Sequence, residues 1–454
     1  MLAIMSIISI SNYRKKDANV DYDTLVSSPL SPGVSVIAPA FNESLTIIFN
    51  VRSLLTFNYP KFEVIIVNDG STDDTLQKMI NEFELTEVDF AYNPKLQTRP
   101  VQRIFKSTNK AYNSLMVIDK ENGKSKADAV NAGINAAAFD YFVCSDVDCI
   151  LDKDTILKLI KPVLDEEKYR VIATGATLRM ANSCDIDKGV ITRVRPPRQW
   201  LARFQEMEYI RAFILGKMGW NYVNCVPNVS GGLGLFDREI AVKCGGYDHT
   251  SFGEDMELMY RMIRYSCDQD IEYAIRHVPY TLCWTEGPSS IKFFMRQRTR
   301  WSRGLAQLMY AHFPMLLNPR YGRMGMVVFP YGFLFELCAP VVELLGIIFY
   351  IVSAILGLIN WPFAIILLVF VYTYSIMVST LAILYDQVSN RTYRTWREVA
   401  SLCVMPFIEM FVFHPMVVIF AVRGYYFALT GKKAGWGAMQ RTGFGGPQTQ
   451  ASVA

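Results

Sequence analysis

A chain of 454 residues, 51% hydrophobic and 19% charged, is long enough for a large soluble domain and a separate membrane region. Its net charge of +4, with no long basic run, argues against nucleic acid as a partner. Nine cysteines without a Cys-x-x-Cys pair read as reduced, buried thiols, and four histidines without ligand spacing argue against zinc.

Residues 1–32 form an N-terminal segment. Met1–Ile10 is apolar but short of the roughly 20 residues a bilayer core requires, and basic residues follow it rather than precede it. It reads either as an interfacial segment or as the end of a spanning helix that starts before residue 1.

Residues 33–310 predict a soluble α/β domain. Val34–Ala38 is an apolar strand ending in Pro39, Asn42 and Glu43, and Leu45–Leu55 has helical spacing. Phe62–Val67 is a second strand, ending in Asn68-Asp69-Gly70-Ser71, before a helix from about Thr75. Alternating strands and helices predict a mainly parallel sheet, whose ligands lie beyond the strand carboxyl ends, where Asn42, Glu43 and Asp69 fall. Asp69 either accepts hydrogen bonds from a base or ribose, or serves the turn and helix cap that follow.

A third strand, Leu115–Ile118, runs into Gly123-Lys124-Ser125-Lys126-Ala127-Asp128, which brings lysines and Asp128 to a helix start suited to phosphate. The spacing is not that of a P-loop. Tyr141–Cys144 leads to Asp146 and Asp148, two carboxylates at a strand end able to grip Mg²⁺ or Mn²⁺. Ser230-Gly231-Gly232 is either a simple turn or a place where backbone approaches a ligand. Gly253-Glu254-Asp255 opens a helix reaching about Arg264, and Asp255 is either a favourable charge at a helix start or a general base. Near the end of the domain a helix carries Gln297-Arg298-Thr299-Arg300-Trp301. These residues either clamp a diphosphate and stack on a sugar ring, or snorkel at a membrane surface.

Residues 311–340, including Met324–Pro340, predict an interfacial segment. Residues 341–430 predict about three transmembrane helices: Val341–Ile359, Trp361–Tyr385 and one within Ala400–Thr430. Arg320 and Arg323, with Arg391, Arg394 and Arg397, put the large domain in the cytoplasm. Lys432, Lys433 and Arg441, in the polar tail 431–454, conflict with that topology if one span precedes them. Glu336, Glu343, Glu409 and Arg423 either line a polar channel or pair between helices.

From about Val34 to Arg303 the chain resembles the membrane-embedded family-2 glycosyltransferases, which include cellulose, hyaluronan and poly-N-acetylglucosamine synthases. The resemblance implies a GT-A-type nucleotide-sugar-binding domain with a mixed, mainly parallel sheet, followed by an α-helical transmembrane region. It also implies an integral inner- or plasma-membrane enzyme with a cytoplasmic catalytic domain and a Mg²⁺ or Mn²⁺ cofactor. The reaction implied is inverting transfer from a UDP-sugar to a growing β-linked polysaccharide, coupled to export. Its partners are a UDP-sugar donor, a glycan or lipid acceptor, the bilayer and accessory export proteins. The alternatives are transfer of one sugar to a membrane lipid and a UDP-sugar sensor without turnover.

On the same resemblance Asp69 meets the nucleoside, with Asn42 and Glu43 beside the donor, and Lys126 and Asp128 lie near the diphosphate. Asp146 and Asp148 match the metal motif, and Asp255, preceded by Glu254, matches the catalytic base. Gln297, Arg300 and Trp301 match the Gln-x-x-Arg-Trp motif of processive synthases. Ser230, Gly231, Gly232 and Trp301 match the acceptor region. Two departures stand out. Gly123-Lys124-Ser125-Lys126 replaces the usual Gly-Gly-Lys, and the N-terminal spans are reduced to Met1–Ile10. The cyclic-dinucleotide-binding domain that cellulose synthases carry does not follow the spans, which lowers the case for cellulose as the product.

Overall fold

The computed structural model describes residues 2–431 apart from Asn19, Asn93 and Lys188, so the polar tail with Lys432, Lys433 and Arg441 lies outside the described residues. The described residues form twelve strands. In chain order they are β1 Val34–Ala40, β2 Phe62–Asp69, β3 Leu85–Glu87, β4 Val101–Ser107, β5 Leu115–Lys120 and β6 Tyr141–Ser145. There follow β7 Ile150–Leu151, β8 Arg170–Met180, β9 Asp185–Asp187, β10 Val190–Arg193, β11 Leu233–Asp237 and β12 Tyr273–Thr285.

Ten of them make one mixed sheet in the order β3-β4-β5-β2-β1-β6-β11-β8-β12-β7. Its centre, β5-β2-β1-β6, is parallel, and β11 enters antiparallel between β6 and β8. The central strands read as unbroken apolar runs because both faces are covered: Val64–Val67 and Leu115–Ile118 are fully or almost fully buried. The parallel register brings Asp69 opposite Lys120 and Ile37 opposite Cys144. The ends of β2, β5 and β6 therefore open on one edge.

The helix Lys126–Ala136 starts where Ser125 Oγ accepts the Ala127 N–H at 3.2 Å. The helix Glu254–Asp268 and the 21-residue helix Ile291–Ala311 close the edge from the far side.

Among the described residues, three helices are long and apolar enough to cross a bilayer: Met324–Ile355, Trp361–Asn390 and Phe413–Thr430. In the first, residues 324–340 are helical and continuous with the stretch that reaches Ile355. Pro330 and Pro340 do not break the helix. Each comes just after a π-helical stretch, Met324–Val328 and Gly332–Cys338, whose wider turns accommodate a missing N–H. The second helix runs five residues past Tyr385, where the buried Asp386 pairs with Arg179 of β8 and Asn390 donates to the Pro279 carbonyl. Residues before the third form two short helices, Trp396–Cys403 and Met405–Glu409.

The N-terminal apolar stretch continues into a helix, Leu2–Asp17, which packs against residues 211–222 with Ser6 and Ile10 buried. Asp17 accepts hydrogen bonds from the Tyr22 and Tyr280 hydroxyls, which ties this helix to β12. Of the membrane-region charges, Glu343 and Glu409 follow the pairing reading, and Arg423 sits against Met295 and the Phe427 ring. Glu343 pairs with His414 at 2.7 Å and Glu409 with Arg211 at 2.8 Å. Glu336 instead lines a cavity of about 50 Å³ with Trp220, Met256, Tyr260 and Tyr331.

Candidate active site

At the end of β2, Asp69 accepts Lys120 Nζ at 2.6 Å and the Gly123 N–H at 3.0 Å. Lys120, fully buried, also pairs with Asp128 at 2.5 Å, and Asp128 accepts the Arg99 N–H at 3.0 Å. Asp128 therefore belongs with Asp69, about a common lysine, rather than with Lys126. Lys120 escaped the sequence reading because it closes an apolar strand. Its signal was the strand register, which puts it opposite Asp69. Asn42 and Glu43 brace the neighbouring loop. Asn42, at φ +56°, accepts the Thr72 N–H at 2.8 Å and donates its own N–H to Ser71 Oγ, and the Glu43 N–H meets Thr75 Oγ1 at 2.9 Å.

Beyond β6, the Cys149 N–H returns to the Asp146 carbonyl at 3.0 Å, folding residues 146–149 into a turn. This turn gathers donor atoms of Asp146, Asp148 and Cys149 within 4.8 Å of one another. A hydrogen bond with Cys283 and burial both push the Cys149 thiol well above its usual range, so it stays protonated. The hard donors are then the two carboxylates, which suit Mg²⁺ or Mn²⁺. Lys126 Nζ lies 2.5 Å from Asp146 Oδ1 and donates to the Gly231 carbonyl at 2.8 Å. Burial works against its charge, but Asp146 reverses that effect, and the ammonium is held charged.

The turn Ser230-Gly231-Gly232 is fastened to the metal motif by Ser145 Oγ, which donates to the Gly232 carbonyl at 3.0 Å. Gly231 lets the turn approach Asp255 closely, since a Cβ at this position would lie 2.8 Å from Asp255 Oδ2. Asp255 and the turn therefore touch. Glu254, beside it, is 5% exposed, and its Oε2 has no hydrogen-bond partner. Burial first, then the neighbouring Asp255, push its carboxyl up, while Arg300 and Lys126 pull it down.

Arg300 and Gln297 reach this place through tight backbone packing. Gly304 sits so close to Gly253 that a Cβ on it would lie 2.7 Å from the Gly253 nitrogen. On the other side Gly424, in the last membrane helix, packs against the Thr299 carbonyl. The motif helix is thus wedged between the start of the Asp255 helix and a membrane helix. Gln297 Oε1 is buried without a partner. Trp301 is half-buried and covers Arg298 at 4.7 Å, while Arg298 pairs with Glu208. Arg298, the unremarked arginine of the motif, is its anchor.

Lys217 is a second residue the sequence reading passed over. Burial pushes its ammonium down to about 8, with Asp255 and Glu336 pulling the other way. A separate cavity of about 840 Å³, lined by Asp152, Lys153, Arg391 and Arg394 among others, holds none of the predicted site residues.

A mixed sheet with a carboxylate pair at its parallel edge, followed by membrane-length helices, defines a GT-A-type glycosyltransferase domain set on a membrane region. Residues 35–93 match the family described as "Glycosyl transferase family 2", and residues 88–304 match "Glycosyltransferase like family 2". Together the two matches run from residue 35 to residue 304, so the α/β domain is a family-2 glycosyltransferase domain. It is similar to the poly-β-1,6-N-acetyl-D-glucosamine synthase of Staphylococcus epidermidis, with 26% identity over 274 residues, 60% of this chain and 54% of that one. With the enzyme of that name from Staphylococcus aureus (strain COL) it shares 25% over 297 residues, 65% of this chain and 58% of that one. The matched part spans little more than half the length of these relatives. Among solved structures, a mannosyltransferase from Pyrobaculum calidifontis, in complex with GDP-mannose and Mn²⁺, has a TM-score of 0.51 at 14% identity. It covers 95% of this chain and 100% of its own, a likeness of fold.

Proposed function

We propose that this protein transfers sugar from a UDP-sugar, with inversion, to a growing β-linked polysaccharide that leaves through the membrane region. Asp69, braced by Lys120, faces the nucleoside. Asp146 and Asp148 would hold the divalent ion, whose role is to neutralise charge on the departing UDP. Lys126, Arg300 and Gln297 face the diphosphate. Asp255 takes the proton of the acceptor hydroxyl as that oxygen bonds to the anomeric carbon and the bond to UDP breaks. Trp301 and the Ser230–Gly232 turn hold the acceptor. The arginines flanking the spans support a cytoplasmic catalytic domain.

One observation carries the reading. Lys126 joins the carboxylate pair to the same glycine turn against which Asp255 rests, so donor and acceptor chemistry share one small volume.

The test is UDP release by detergent-purified protein with UDP-N-acetylglucosamine, UDP-glucose or UDP-glucuronate, each with Mg²⁺ or Mn²⁺, and products sized on a gel. Metal-dependent release with a high-mass product is expected. A single glycolipid band would move the assignment to one-step lipid glycosylation, and UDP binding without release would make the protein a sensor. Asp255→Asn should lower turnover by about 10²–10⁴-fold while leaving UDP affinity unchanged. Equal turnover in the variant would remove Asp255 as the base.

A further inference from the structure

Lys126 makes two contacts whose partners belong to different halves of the site. Its ammonium lies 2.5 Å from Asp146 Oδ1, on the carboxylate pair assigned to the divalent ion. It also donates to the Gly231 carbonyl at 2.8 Å, on the turn that touches Asp255. The Lys126 side chain is 16% exposed, so water and salt screen it little. A divalent ion approaching Asp146 meets a carboxylate already neutralised, and a like charge at contact distance. A diphosphate arriving at the same place offers the ammonium a more highly charged acceptor.

We propose that Lys126 is an electrostatic latch. It holds Asp146 until the donor's diphosphate draws it away, so the divalent ion enters with the nucleotide rather than before it. The same movement frees the Gly231 carbonyl, and the acceptor turn beside Asp255 loosens once the donor is seated. The inference rests on the donor-site reading above and adds to it an order of binding.

The latch predicts an inverted effect of removing a positive charge. Mn²⁺ is titrated against the full chain in detergent and followed by the paramagnetic resonance signal of the unbound ion. The titration is run with and without UDP, and the UDP–Mn²⁺ complex is measured separately. Wild type should bind Mn²⁺ weakly alone and at least about tenfold tighter with saturating UDP. Lys126→Gln should bind the free ion roughly tenfold tighter than wild type and gain little from UDP, because the coupling has been removed. Lys126→Arg, which keeps the charge, should resemble wild type.

Free-ion affinity in Lys126→Gln equal to or weaker than wild type overturns the latch and leaves the donor site standing. Asp148→Asn tells the two failures apart. UDP-dependent Mn²⁺ binding that survives in this variant puts the ion elsewhere, and the donor-site reading and the latch fall together. For the acceptor half, amide exchange at residues 230–232 should quicken when UDP and Mn²⁺ are added to wild type. Unchanged exchange there overturns the coupling to the turn.

Discussion

Lys120 and Arg179 are both cations taken wholly out of water between two carboxylates, yet their surroundings differ. Lys120 bridges Asp69 and Asp128, whose side chains keep 9% and 12% of their exposure at the edge of the proposed donor site. Arg179, on β8, bridges Glu206 and Asp386, each 1% exposed. Around Arg179 every remaining polar group is also answered. Glu206 accepts the Tyr393 hydroxyl and the Met180 N–H, Asp386 accepts Asn390 Nδ2, and Thr281 accepts from Arg179 Nε. A closed network of this kind fixes one arrangement of the parts it joins, here the sheet and the end of the Trp361–Asn390 helix. The Lys120 cluster leaves its carboxylates at the edge of the site, where a ligand can complete them. Closure marks an anchor, and incomplete closure marks a place built to receive something.

The largest effect should come from Arg179→Met, which strands two buried carboxylates and should cost about 3–5 kcal/mol, read as a lowered unfolding midpoint in detergent. Its folded fraction should bind UDP as wild type does. Lys120→Met should cost less, about 2–3 kcal/mol, because Asp69 and Asp128 keep backbone N–H partners and some access to water. It should also weaken UDP binding about tenfold or more. Equal UDP affinities in the two variants would erase the distinction between anchor and receiving site.

Lys217 sharpens the comparison, as a half-buried cation without the paired carboxylates that surround the other two. Its folded-state value is about 8, against about 10.4 in an unfolded chain. Below pH 8 both states carry the proton, and burying the charge opposes folding throughout. Between about pH 8 and 10 the unfolded state holds more protons on this group, so its own contribution to stability should rise with pH by about 2 kcal/mol. Buried thiols such as Cys149 work in the opposite direction over this range, so the rise is read as a difference in denaturation midpoints: wild type should gain about 2 kcal/mol relative to Lys217→Met. The same pH dependence in both proteins would remove Lys217 as its source.

The smallest effect on stability, about 1 kcal/mol, is expected from Gly304→Ala, which must push the motif helix away from Gly253. Turnover should fall further than stability does, because Arg300 and Gln297 ride on that helix. Turnover equal to wild type would show that the spacing between the two helices is not critical.

Asp69, Asp146, Asp148 and Asp255 were legible in the sequence because their positions are set locally, by an apolar strand ending in a loop or by a loop opening a helix. The membrane-length apolar runs were legible for the same reason, since about 20 apolar residues meet the bilayer's requirement wherever they stand. Only the tertiary structure decided what these groups meet. Asp128, two residues from Lys126, turns to Lys120, while Lys126 reaches Asp146 and Gly231. Arg298 anchors the motif helix to Glu208, 90 residues away, and Arg179 finds Asp386 across 207 residues. Residue type and spacing specify which groups can bear charge and which end of a strand they occupy. Partners of a buried charge are chosen by sheet register and helix packing, where desolvation penalises every unpaired arrangement, and those distances do not exist along the chain.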